Sequence, residues 1–362
     1  MINTVVLTNF RNHKMSRIKT NGARNIILVG PNGAGKTAIL ESLSMLSGDR
    51  GMRGADMIDI ARFDGDGSFS VFANINEDTN ISIYFNSGDS NRHAKREDEI
   101  IPLSSLSPML PMVWLSPRED RLFVDSVSDR RAFFDRLVCG FDASHTGRNA
   151  KLAKLLSERA AMLKSGADSR LIDIIDDNIA ATATSICDGR IKYAGEINYF
   201  LKNYAVSING MVEKMFIDGM TAGDVERKYR EYLGSARQIV ADKMVLDGPH
   251  KSDFGMFNNV LKLPVRLTST GQQKMALFDL ILAHAKLIHA KKNTGAIILL
   301  DEAIAHLDEC ARKMFFDAID ATEAQVWYTG IDENLFKYAK NAIIVSCIDG
   351  TISNIVTSDG EN

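Results

Sequence analysis

Absences bound this chain before any motif is read. Among its 362 residues are four cysteines, Cys139, Cys187, Cys310 and Cys347, scattered and without a CxxC pair. That spacing reads as reduced thiols in a cytosolic protein. No apolar run approaches the ~20 residues needed to cross a bilayer, so no membrane span is expected. The opening "MINTVVLTNFRNHK" lacks a basic stretch followed by an apolar core, and no secretory leader is expected. Net charge is only −3, so any nucleic-acid contact has to come from a local basic face. No heptad pattern survives three or four repeats, which excludes a long coiled coil. Internal repeats and low-complexity tracts are also missing. What remains is ordinary globular material, 45% apolar and 25% charged, long enough for about two domains.

The hydrophobic period changes along the chain. Residues 4–10, 17–20 and 25–29 read as short strands, and 68–86 alternates apolar and polar around a polar turn, a hairpin signal. Residues 88–99 are polar and charged and read as a solvated loop. From about 130 to 205 the spacing becomes helical (Leu152, Leu155, Leu156, Leu163, Leu171, Ile172, Ile175, Ile179), with Gly166, Gly189 and Gly195 expected to divide it into helices of ordinary length. Strands are expected again at 260–267, 296–300, 324–330 and 341–348.

Three stretches carry chemistry. "NIILVGPNGAGKTAILESL" is a buried strand, a glycine turn and a helix, matching G-x-x-x-x-G-K-[ST] through Gly30, Pro31, Asn32, Gly33, Ala34, Gly35, Lys36 and Thr37. In such a loop the glycines turn backbone N–H groups toward phosphates. Lys36 reaches the β- and γ-phosphates, and the Thr37 hydroxyl ligates Mg²⁺. "AIILLDE" (296–302) is a second buried strand that ends in two acids. Asp301 is placed to hold Mg²⁺, and Glu302 to orient and deprotonate an attacking water. A carboxylate on a helix start is the bland alternative for Glu302. "STGQQ" (269–273) opens a third helix, Ser269 being a good N-cap and Gly271 leaving N–H groups bare, which makes a second anion cradle.

The order of polar turn, helix, acidic strand and then "HLDE" with Asp308 resembles the signature arrangement of ABC-type ATPases. The resemblance implies that Ser269, Gly271 and Gln272 bind the γ-phosphate held by a partner's P-loop, and that Asp308 contacts the opposite subunit. Two ATP molecules are then sandwiched in a two-fold homodimer, the self-complementary contact that such symmetry demands. The implied fold class is α/β: an ABC-type P-loop ATPase head with a mixed or parallel sheet, flanking helices and an antiparallel β subdomain. Residues 38–268, 231 in all, exceed what a bare nucleotide-binding lobe needs, so a mainly helical arm (131–239) is expected to interrupt a lobe made of 1–130 and 240–362.

Further stretches resemble the RecF family of bacterial recombination mediators: "NFRNH" (9–13), "WLSPREDRLFVDSVSDRRAFFDRLV" (114–138), "ERAAMLKSG" (158–166), "DGPHKSDF" (247–254) and "STGQQ". They run in the family's order along nearly the whole chain. The resemblance implies a cytoplasmic ATPase that dimerises with ATP and binds DNA. It implies action with RecR and RecO at gapped DNA to help load RecA, in replication-fork recovery and the SOS response. The chain departs from the patterns in places. His13 replaces a tyrosine, and Lys251 replaces an arginine, keeping charge but losing a bidentate fork. No glutamine lies between Thr37 and Gln238, which leaves Ser116–Asp120 as the segment expected near the metal. Thr329 stands where many ABC proteins place a γ-phosphate-sensing histidine. Both absences predict slow turnover.

For DNA the basic residues are Arg118, Arg121, Arg130, Arg131 and Arg136, with Lys151, Lys154 and Arg159 on the arm. Together they could follow a phosphate backbone without reading sequence, with steep salt dependence; a solvated helix face with interleaved acids is the alternative. The nucleotide-binding subunit of a transporter is a competing function, against which the arm, the missing glutamine and the missing histidine argue. A scaffold gated by ATP without productive turnover is another, and replacing Glu302 separates it from an enzyme.

Overall fold

The computed structural model describes residues 1–237, 246–305 and 307–357. Gln238, His306 and the arm boundary expected at 239/240 lie outside the described residues. Two compact units result: one from Met1–Arg121 with the chain from Leu277 onward, the other from Leu122–Ala276.

The first unit holds two six-stranded sheets. The antiparallel one has the order β2-β1-β4-β5-β6-β7, from β1 (Ile2–Phe10), β2 (His13–Lys19), β4 (Phe69–Ile75), β5 (Thr79–Phe85), β6 (His93–Arg96) and β7 (Glu99–Ile101). The second has the order β15-β14-β3-β13-β12-β8, from β3 (Asn25–Val29), β8 (Met112–Leu115), β12 (Ile297–Leu300), β13 (Gln325–Gly330), β14 (Ala342–Ile348) and β15 (Thr351–Thr357). Its four pairings from β14 to β8 are parallel, and only β15 is antiparallel. Parallel strands are buried on both faces and read as unbroken apolar runs. "IILL" is such a run, and "NIILV" is one after its leading Asn25, with every residue buried. Helix α1 (Lys36–Met45) follows β3 and has nine of its ten residues buried. Leu7, Ile39, Leu43, Trp114 and Trp327 belong to one apolar core shared by both sheets and α1. The short helices α2 (Met57–Ile60) and α3 (Leu106–Met109) sit in connections, and α10 (Glu309–Asp320) links β12 to β13.

The second unit is mainly helical: α4 (Val127–Phe141), α5 (His145–Ser165), α6 (Ser169–Phe200), α7 (Met211–Ile217) and α8 (Ala222–Ser235). They are joined by a small antiparallel sheet of β9 (Tyr204–Asn209), β10 (Asp253–Asn258) and β11 (Leu263–Pro264). Ile179, Ala183, Val225, Tyr229 and Leu233 share its core. The 276/277 division falls inside α9 (Thr270–Lys292).

Three expectations are corrected. Gly166 does cap α5 in a left-handed conformation, but Gly189 and Gly195 lie inside α6, which runs unbroken for 32 residues. Each interior glycine costs about 1 kcal/mol against alanine. That cost is small beside a buried face carrying Ile175, Ile179, Ile186, Tyr193 and Ile197. The segment 88–99 is not all loop: β6 pairs with β5, its Ala94 buried opposite Ile83 and its His93 ring stacked on Tyr84. The strand expected at 260–267 shrinks to Leu263–Pro264 and passes into a 3₁₀ turn, since Pro264 has no N–H to extend the ladder. Among the described residues no helix is long and apolar enough to cross a membrane.

Candidate functional site

The strand order creates the site. β3 lies between β13 and β14, and β13 lies between β3 and β12, so three parallel strands end side by side. Clefts beyond such carboxyl ends are where open α/β sheets hold ligands. The Gly30–Thr37 loop leaves β3 there, and Asp301 and Glu302 leave β12. Thr329, near the end of β13, falls between them.

Glycine is required in the loop by sterics. Gly30, Gly33 and Gly35 all have positive φ. A Cβ on Gly30 would meet the Cys347 carbonyl oxygen, and one on Gly35 would meet the His13 ring and the Asn12 amide. Gly35 is the N-cap of α1 and offers no side-chain cap, so the first-turn N–H groups stay available to an anion. The Lys36 ammonium is buried and donates to the carbonyls of Gly30 (2.7 Å) and Pro31 (2.8 Å), which fixes it over the loop with a third donor left.

Beneath the loop runs a hydrogen-bond chain. The Thr37 hydroxyl donates to Asp301 Oδ1 (3.0 Å), and the Thr329 hydroxyl donates to the same oxygen (2.7 Å) while accepting the Glu302 N–H (2.8 Å). Thr329, where the sequence pattern raised the loss of a histidine, thus ties both acids to the central strand. Asp301 is buried, and burial raises its carboxyl pKa, with the Glu302 charge acting in the same direction and the two threonine hydroxyls opposing. Glu302 takes φ 54, a left-handed conformation uncommon for a non-glycine residue and found where structure over-determines a functional position. Its exposed side chain reaches the cavity.

The N-terminal hairpin braces the loop from the other side. Asn12 donates to Gly33 O (3.2 Å), while His13, fully buried, joins Gly35 O through Nε2 (3.1 Å) and the Ser16 hydroxyl through Nδ1 (2.8 Å). Burial lowers the His13 pKa, and a carbonyl only accepts, so the neutral ring carries its proton on Nε2. Gly350 N–H donates to Ala34 O (3.1 Å) from the β14–β15 turn. Arg11 forks onto the buried Glu41 of α1 at 2.7 and 2.9 Å. In the sequence "NFRNH" stands out only by its resemblance, and this bracing is not apparent. The signal was there in two polar residues directly after a strand end.

The loop opens into a cavity of about 840 Å³ that also takes in Arg11, Arg53, Arg62, Phe63 and Asp64. A recess of about 420 Å³ brings together Thr37, Asp301, Glu302, Arg53, Ser116 and Arg118. Ser116 arrives because Leu115 pairs with Leu300, and Asp301 N–H donates to Leu115 O (2.8 Å). Thr37 and Asp301 form a hard oxygen pair suited to Mg²⁺, an ion that protein groups typically hold through one or two carboxylates plus substrate phosphates. Among the described residues no group of three or more His, Cys, Asp or Glu could hold a metal by itself, so such an ion would take its other ligands from phosphates and water.

The remaining candidates are placed as follows. Ser269 and Gln272 make a reciprocal capping box at the start of α9, the Gln272 N–H donating to Ser269 Oγ (3.4 Å) and the Ser269 N–H to Gln272 Oε1 (3.1 Å). Ser269, Gly271 and Gln272 are exposed. Asp308 is the exposed N-cap of α10 and accepts the Ala311 N–H at 2.8 Å. Of the basic residues, Arg118, Arg121, Lys151 and Lys154 are exposed. Arg130 is forked onto Asp253 at 2.7 and 2.9 Å, Arg131 reaches Ser252 O (3.3 Å), and Arg136 lies over the Phe133 ring. Arg159 is buried on Asp176 (2.5 Å) and Leu233 O, a structural ion pair that removes it from any exposed basic face.

A P-loop at the centre of a parallel sheet, an acid pair on the second strand along and an antiparallel sheet in the same unit define an ABC-type ATPase head. The chain belongs to the RecF family within the group described as RecF/RecN/SMC N terminal domain, which matches residues 1–354. It is 31% identical over 364 residues to the DNA replication and repair protein RecF of Caulobacter vibrioides, covering 93% of both chains. It is 32% identical over 371 residues to the RecF of Allorhizobium ampelinum, covering 97% of this chain and 98% of that one. A solved structure of the recombination mediator protein RecF with ATPrS in the RecFOR pathway superposes with a TM-score of 0.84 at 20% identity, covering 98% and 97%, and shares the fold.

Proposed function

We propose that this chain is an ATP-dependent ATPase of DNA replication and recombinational repair. It would close into a two-fold dimer around two ATP molecules and act on gapped DNA with RecO and RecR to load RecA. The observation that carries the reading is the hydrogen-bonded chain Thr37–Asp301–Thr329–Glu302 beside the Gly30–Thr37 loop, which supports Thr37 and Asp301 as metal ligands and Glu302 as a base. The names of the relatives supply the pathway.

The roles follow from placement. Backbone N–H groups of Gly30–Thr37 and the third Lys36 donor hold the β- and γ-phosphates. Thr37 and Asp301 hold Mg²⁺, which when bound neutralises charge on the phosphates. Glu302, reaching the cavity from a conformation fixed through its own N–H, orients water and takes its proton. Ser116, beside Asp301 in the recess, stands where a transporter would use glutamine. Gly271 supports the dimer: its φ lies outside the left-handed region and a Cβ there would meet nothing within 4 Å, so nothing in its own chain calls for glycine. A phosphate approaching from a second copy does. Asp308 joins that interface, and exposed Arg118, Arg121, Lys151 and Lys154 are the best-placed groups for DNA phosphates, in a cytoplasmic protein.

Light scattering with ATP, ADP and no nucleotide, each with and without gapped DNA, tests the reading. A dimer with ATP alone, strengthened by DNA, is expected. A monomer at saturating ATP under every condition refutes the proposed assembly.

A further inference from the structure

We propose that Phe63 is the platform on which the base of the bound nucleotide stacks. The inference rests on reading Gly30–Thr37 as the triphosphate site. Phenylalanine is usually buried, yet Phe63 is 104% exposed, the highest value for any large apolar side chain among the described residues. It lines the same cavity as Lys36 and Thr37. It also lines a neighbouring hollow that includes Ile58 and Gly65 but none of the phosphate loop, so it marks the margin of the nucleotide cavity.

The ring is exposed but its backbone is not loose. Arg62 N–H donates to Asn9 O (2.8 Å), and Arg62 Nη1 donates to Asn12 O (2.8 Å). Gly65 N–H donates to Arg62 O (3.0 Å), closing a tight turn with Phe63 and Asp64 at its corner. Ala61 bridges to Phe10, and Arg11 N–H donates to Ile60 O (2.7 Å). Asn12 in turn braces Gly33 (3.2 Å), so one strand end fixes both the phosphate loop and the turn that presents Phe63. An aromatic held out by a pinned turn loses little conformational freedom when a flat ligand covers it.

The neighbouring groups specify the kind of contact. Arg62 pairs with Asp64, which keeps that carboxyl below its ordinary range and ionised, able only to accept. The side chains of the turn thus present one π-face without a neutral donor–acceptor pair that reads a base edge. Stacking of this kind tolerates any base. Phe63 therefore adds affinity for a nucleotide over bare polyphosphate and separates adenine from guanine only weakly.

Calorimetric titration of wild type, Phe63→Ala and Phe63→Trp with ATP, GTP and inorganic tripolyphosphate, each with Mg²⁺, tests this. Phe63→Ala should weaken ATP and GTP alike by roughly tenfold or more and leave tripolyphosphate unchanged. Phe63→Trp should restore nucleotide binding, with its emission altered by ATP but not by tripolyphosphate. Unchanged ATP affinity in Phe63→Ala, with tripolyphosphate still bound, overturns the platform and leaves the phosphate site standing. A change in self-association alone does the same and gives the ring to a protein contact. Equal loss of tripolyphosphate overturns the platform as well. Wild type that binds neither nucleotide nor tripolyphosphate overturns the phosphate reading itself.

Discussion

Two glycine-containing turns open helices in this molecule, and they differ in what they need. The loop before α1 is shaped by its own chain: residues packed against Gly30 and Gly35 exclude a Cβ, Asn12, His13 and Gly350 hold its carbonyls, and nine of ten α1 residues are buried. The turn before α9 satisfies its own cap through Ser269 and Gln272, stands exposed, and carries a glycine that nothing nearby requires. The first is complete within one chain. In the proposed dimer, the second is the surface that would meet a ligand carried by another copy.

The sharpest way to break that contrast is at the chemistry of the first turn. Glu302→Gln should cut ATP turnover by about 100-fold or more, the usual worth of a general base, while nucleotide still binds and dimers live longer. Unchanged turnover in a steady-state assay refutes the base assignment. Lys36→Ala removes a buried charged donor and should weaken ATP on the order of 100-fold by calorimetry, and with it the ATP-dependent dimer. Gly271→Arg should leave ATP affinity of the single chain within about twofold, since such surface changes usually cost little, yet abolish the dimer in light scattering. If it weakens nucleotide binding to the monomer instead, the two turns belong to one site and the comparison fails. Thr329→Val leaves the Glu302 N–H without its partner and strips Asp301 of a donor. It should cost about 1–3 kcal/mol of stability in denaturant melts and slow turnover.

The smallest effect concerns His13. Burial lowers its folded pKa below the ordinary 6.5, so the unfolded chain binds the extra proton first. Its stabilising contribution is therefore present above pH 6.5 and is lost as pH falls from there toward the folded value. His13→Gln should flatten that part of the melting-temperature profile against pH.

Much of this was legible because local rules and tertiary structure agree. "NIILVGPNGAGKT" needs its glycines for backbone reasons visible in one dimension, and a buried strand ending in "DE" delivers acids wherever it lies in a sheet. Thr329 was legible only as a departure, because its role depends on β13 falling between β3 and β12, a strand order no spacing along the chain encodes. Arg130 and Arg159 read as free basic residues since Asp253 and Asp176, their partners, sit 123 and 17 positions away. The uninterrupted α6 was hidden because glycine reports local propensity, whereas the burial of one face decides the helix.

The placement of β3 has a consequence for how the molecule is made. Its neighbours β13 and β14 both come from the far end of the chain, Gln325 following Val29 by 296 positions (325 − 29). At the ~5–20 residues per second of ribosomal synthesis, that is about 15–60 s during which a strand apolar in all but its first residue has emerged with both edges unpaired. Nascent chains stalled before residue 325 are therefore natural clients for chaperones, and nucleotide cannot rescue them, because the floor of its pocket has yet to be translated.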